Sequence, residues 1–81
     1  MKLPRSVSGD ELIKSLQKIG YSVTRQKGSH VRLTCSLPTG EHHITIPNHN
    51  PLKIGTLSAI LTEIAQTHKL SKQELLNKIF G

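Results

Sequence analysis

The sequence predicts an α+β fold with the order α-β-β-β-α and a short additional C-terminal helix. Three observations carry that expectation. Apolar residues recur at helical spacing in two separate stretches, they alternate with a period of two between those stretches, and Gly- and Pro-bearing breaks divide the alternating segment into three short runs. At 81 residues the chain has material for a single domain over 1–81 with a thin core.

Ser8, Gly9, Asp10, Glu11 fits a capping box, in which the Ser8 hydroxyl accepts from the Glu11 amide and the Glu11 carboxylate accepts from the Ser8 amide. Leu12, Ile13, Leu16 and Ile19 then share one face, while Lys14, Gln17 and Lys18 fall largely elsewhere, and Gly20 supplies a left-handed stop. The first helix is predicted over 9–19.

After Gly20 the period changes. Tyr21, Val23 and Arg25 alternate with Ser22, Thr24 and Gln26; Val31, Leu33 and Cys35 alternate with Arg32, Thr34 and Ser36; Ile44 and Ile46 flank Thr45. Strands are predicted over 21–26, 31–36 and 42–46. Lys27, Gly28, Ser29 and Pro38, Thr39, Gly40 separate them with ordinary turn chemistry, so the simplest topology is an antiparallel meander, ended by Pro47. Asn48 to Lys53 is a loop. A second helix is predicted over 55–68, with Leu57, Ile60, Leu61 and Ile64 on one face. Ser71, Lys72, Gln73, Glu74 is a second capping box, opening a final helix over 72–79 that carries Leu75, Leu76 and Ile79.

The two main helices must cover the apolar face of the sheet. The opposite face, bearing Ser22, Thr24, Arg32, Thr34, His43 and Thr45, is too polar for a core and should meet solvent or a partner. If Ser36 pairs near Glu41, Arg32 falls opposite Thr45 and His30 opposite Pro47, a register that keeps the apolar residues inside. The Gly28, Ser29, His30 turn and the Pro47, Asn48, His49 loop then share one end of the sheet. Arg25, Lys27 and Arg32 lie nearby, and Lys53 is expected within reach. His30 has the parity of Arg32, so its imidazole should point to the open face.

Lys and Arg number 11 against 5 Asp and Glu, a formal charge of +6, which points to RNA, DNA or an acidic protein as partner. Aromatic residues are 2% of the chain; that disfavours binding by stacking bases on rings and leaves a basic groove. Cys35 is the one cysteine, so no internal disulfide forms, and a reducing, cytoplasmic setting is expected. Neither a secretion signal nor a membrane span is expected, since no long apolar run is present. His42 and His43 are adjacent in a strand and point to opposite faces, Cys35 lies on the core face, and no paired ligand spacing occurs, so neither a metal nor another cofactor is expected.

An imidazole can take or give a proton near neutral pH. RNA supplies its own nucleophile: a base that deprotonates the ribose 2′-OH lets that oxygen attack the adjacent phosphorus, while cationic side chains stabilise the charge gathering on the phosphate. His30 among Arg and Lys residues is thus a minimal ribonuclease, unable to cleave DNA by this route because DNA lacks the 2′-OH. Spacing alone leaves a plainer alternative open. In it His30 is a solvated turn residue, His49 holds its loop, and the basic residues are a solvated surface.

Glu11, Leu12, Ile13 and Leu16 leading to Gly20 and Tyr21; Arg25, Gln26, Lys27, Gly28, Ser29, His30; Ile44 to His49; and Lys53 to Leu57 with Ile60 and Leu61 form a specific series in this order. On these residues the chain resembles the HicA, or YcfA-like, toxins over nearly its whole length. The resemblance implies a fold like the double-stranded-RNA-binding domain and a metal-independent endoribonuclease that cleaves mRNA, inhibiting translation and growth. It also implies an antitoxin of the HicB type that masks the enzyme. The family's catalytic histidine falls on His30. Arg25, Lys27, Ser29, Arg32, His49 and Lys53 are the candidate RNA-binding residues, and a non-catalytic RNA-binding module of the same fold is the alternative. The hairpin tip from Leu37 to Glu41, the His42 and His43 pair, and the tail from Ser71 are less typical of the family and bear on substrate preference or the antitoxin contact.

Overall fold

The structure is a computed structural model and describes residues 6–81; residues 1–5, where no apolar leader is expected, lie outside the described residues. The elements are α1 (Gly9–Gln17), β1 (Tyr21–Lys27), β2 (His30–Leu37), β3 (Gly40–Pro47), α2 (Ile54–Thr67) and α3 (Lys72–Phe80), in the predicted α+β order.

Both capping boxes form. The Ser8 hydroxyl accepts from the Glu11 amide at 3.1 Å and the Ser8 amide donates to Glu11 Oε1 at 3.2 Å; Ser71 and Glu74 repeat the exchange at 3.1 and 2.9 Å. α1 stops at Gln17, short of the predicted Ile19. The Lys18 and Ile19 amides bond to Ser15 and Leu16 carbonyls three residues back, and Gly20 leaves at φ +102°, so the last turn tightens before a left-handed exit. α2 is shifted one residue toward the N-terminus, to Ile54–Thr67, from the predicted 55–68.

The sheet runs β1-β2-β3, all antiparallel. Its strands extend further into the turns than predicted. Gly28 and Ser29 alone connect β1 to β2, leaving Lys27 paired with His30, and Gly28 takes φ +59° at the first position of a primed hairpin turn. The β2–β3 register is the expected one: Ser36 faces Glu41, Arg32 faces Thr45 and His30 faces Pro47.

β1 corrects the predicted alternation. Val23 pairs with Leu33, yet Arg25 pairs with Arg32, so Thr24 has no partner and forms a β-bulge. Tyr21, Val23 and Arg25 therefore do not share a face. Past the bulge Arg25 and Lys27 lie on the face of Arg32 and His30, while the uncharged Gln26 takes the place beside Val31.

Leu12 and Leu16 of α1, Leu33 and Ile46 of the sheet, Leu57, Leu61 and Ile64 of α2, and Leu75 and Ile79 of α3 are fully buried in one core. α1 packs on β1 and β3, α2 on β3, and α3 on both helices. The helices thus occupy one side of the sheet and leave the other open. Among the described residues no helix is long and apolar enough to cross a membrane.

Candidate nucleic-acid interface

His30 opens β2 and is exposed, with Lys27 across the two-residue turn. Two ladder steps away, on the same face, Arg25 faces Arg32. These four residues and Thr45 line one shallow concavity on the open face. Three cations therefore surround a single imidazole, with no carboxylate in the lining. Among the described residues none of the three cations is paired with an acid. Like charges directly opposite in a ladder repel, and an anion placed between Arg25 and Arg32 relieves that repulsion.

The loop after β3 closes the end of this site. The Asn48 amide donates to the Ser29 carbonyl at 2.6 Å, joining the two segments that the predicted register brings together. The same loop is fastened to the start of α1: the Gly9 amide donates to the His49 carbonyl at 2.8 Å and the Leu52 amide to the Val7 carbonyl at 2.8 Å. Gly9 allows this approach because it lacks a side chain. A Cβ there would lie 2.5 Å from the Pro47 oxygen and 2.7 Å from Asn48 Cα.

Of the candidate residues, Arg25, Lys27, His30 and Arg32 come together. Ser29 and His49 border the site through their backbone, with exposed side chains outside the concavity. Lys53 stands at the N-cap of α2 and does not line it. Two further residues belong to the site or its support without being among the candidates. Thr45 lies opposite Arg32 on the open face, as the register predicts, and also lines the concavity. Gly9 carried no local signal, because its neighbour is a distant loop.

A second concavity adjoins the first, sharing Arg25 and Arg32 and lined further by Thr24, Thr34, Glu41 and His43. The bulge residue is tied into it: Thr24 Oγ1 lies 2.8 Å from Thr34 Oγ1, which lies 2.8 Å from His43 Nδ1. His43 Nε2 is 3.7 Å from Glu41 Oε1.

His42 points the other way, as expected for its neighbour in a strand. Its Nδ1 lies 2.7 Å from the Tyr21 hydroxyl and its Nε2 2.9 Å from Glu63 Oε2, while His68 Nε2 lies 3.0 Å from the same hydroxyl. One arrangement satisfies the whole chain with neutral imidazoles: His68 donates to Tyr21, Tyr21 to His42 Nδ1, and His42 Nε2–H to Glu63. Burial, with Cys35 and Glu63 beside it, pushes the Tyr21 hydroxyl far above the usual phenol range. Burial also raises the Cys35 thiol, which disfavours the nucleophilic thiolate. This network sits at the opposite end of β1 from Lys27, roughly 20 Å along the strand. It fastens α2 to the sheet. Among the described residues no three His, Cys, Asp or Glu side chains converge to hold a metal ion.

A family model described as the HicA toxin of bacterial toxin–antitoxin systems matches residues 9–66, a span that contains both concavities and the loop between Pro47 and Lys53. No curated protein and no solved structure matches the chain.

Proposed function

Since the chain belongs to the HicA toxin family of bacterial toxin–antitoxin systems, we propose that it is a metal-independent endoribonuclease that cleaves mRNA with His30 as the base. It is a toxin with a cognate antitoxin partner. The observation that carries the enzymatic reading is the grouping of Arg25, Lys27 and Arg32 around His30 on the open face. RNA laid across this face places a phosphate between the two arginines. His30 takes the proton of the neighbouring 2′-OH, the 2′-oxygen attacks phosphorus, and the 5′-oxygen departs with a proton from water at the exposed site. The products are a 2′,3′-cyclic phosphate and a 5′-hydroxyl end. The three cations stabilise the oxygens that gain charge in the transition state. The action belongs in the cytoplasm, where mRNA is found, and the antitoxin silences it by covering the cationic face with acidic or bulky groups.

His30 is exposed, so His30→Ala should fold normally while losing RNA cleavage and growth inhibition. Cleavage at the wild-type rate by that variant overturns the assignment. A 2′-deoxy substitution at the scissile ribose should block cleavage, and a chelator should not. Loss of activity with chelator and its restoration by zinc or magnesium would return a metal to the mechanism. RNA that is bound but stays intact with the pure toxin would instead identify a non-catalytic RNA-binding module.

A further inference from the structure

The open face extends beyond what cleavage by His30 requires. His43 faces Thr34, and Thr34 follows His30 by four residues on β2. At about 3.3 Å per residue and about 4.8 Å between strands, the two imidazoles stand on the order of 14 Å apart. One phosphate cannot touch both. His43 is therefore not the proton partner of His30, and the second concavity lies too far along the face to share the phosphate attacked at His30.

Charge decides what that concavity suits. Arg25 and Arg32 lie where the two concavities join and suit a phosphate. Beyond them Glu41 lines the wall, and its carboxylate repels one. The Glu41 carboxylate favours the His43 tautomer that carries its proton on Nε2, and the hydroxyls then orient accordingly. Thr24 donates to Thr34 and Thr34 to His43 Nδ1, with the His43 Nε2–H directed toward the Glu41 carboxylate, 3.7 Å away. Thr34 is buried and anchors His43 through its Nδ1, while the Glu41 carboxylate stands exposed at the rim, open to a ligand. The wall presents an acceptor beside a donor, which suits the edge of a base more than a backbone. Guanine alone among the four bases offers two adjacent N–H donors for a carboxylate, with a carbonyl acceptor next to them.

We infer that the concavity bounded by Glu41 and His43 is a nucleobase subsite that selects an unpaired guanine a short distance along the strand from the phosphate attacked at His30. The inference rests on the reading of this face as an RNA track. Its test separates the two. Uncleavable 2′-O-methyl oligouridines carrying guanine, adenine or cytosine at one position are titrated into the full chain and followed by fluorescence anisotropy. The guanine oligomer should bind roughly tenfold more tightly than the others, and Glu41→Gln, at an exposed position, should remove that preference. Equal binding of all the oligomers, or a guanine preference that survives Glu41→Gln, overturns the subsite while leaving the RNA track standing. No binding of any oligomer overturns both.

Discussion

Arg25 stands directly across the ladder from Arg32 because Thr24, one residue earlier, has no partner. The two residues place like charges across the ladder, which repel, and on the proposed reading an RNA phosphate between them relieves that repulsion. Arg25→Ala should therefore leave stability unchanged or raise it by up to about 0.5 kcal/mol at low salt. It should also weaken RNA binding and reduce the slope of log K against log salt by roughly 0.7, the share of one phosphate contact on a single strand. Urea melts and salt titrations measure the two effects. A clear loss of stability, or an unchanged salt slope, would show that Arg25 is structural.

The caps and the second hairpin were legible because each is specified locally. Ser8 with Glu11 and Ser71 with Glu74 announce helix starts, and the alternation from Val31 to Ile46 permits one register with a dry inner face. The parity of His30 followed from it. The bulge was not legible, since Ser22, Thr24, Arg25 and Gln26 are all polar and an extra residue among them disturbs no apolar pattern. The Glu63, His42, Tyr21, His68 chain was hidden for another reason. Two of its members come from α2 and the turn after it, and their position depends on how that helix packs on the sheet.

Gly9 offers a test of how the loop supports the site. Gly9→Ala forces a Cβ against the Pro47 oxygen and Asn48 Cα, both backbone positions with little freedom to yield. The cost should be about 1–3 kcal/mol, and cleavage should fall as well, because the displaced segment is bonded through Asn48 to Ser29, the neighbour of His30. Gly55→Ala is the control. Its Cβ would meet nothing within 4 Å in the first turn of α2, so stability should be unchanged or higher by up to about 1 kcal/mol. Thermal melts of the two variants compare them, and equal destabilisation would refute the steric account.

Ser8→Ala removes the hydroxyl that accepts from the Glu11 amide at a buried helix start. The expected loss is about 1 kcal/mol, measurable as a lower urea midpoint with an unchanged slope. Cleavage under native conditions should stay close to wild type, since Ser8 lines neither concavity. A loss of activity at full folding would mean that the cap also positions the 47–49 loop.

The helix-side network predicts a pH dependence whose direction can be worked out. Burial, and then the neighbouring His42, hold the His68 pKa below its ordinary value. Tyr21 meets one nitrogen of the ring, and Lys18 and Lys78 line the concavity that His68 borders, so the surroundings supply cations and a neutral phenol. A histidine with a depressed pKa binds its proton more readily in the unfolded chain. The resulting stabilisation is present above about 6.5, the unfolded value, and is lost as pH falls through the lower folded value. The wild-type melting temperature should therefore fall between pH 7.5 and pH 5 by more than that of His68→Gln, which keeps a side-chain donor for Tyr21 but cannot take up a proton. Parallel melting curves for the two proteins across that range would show that His68 contributes no pH-dependent stability.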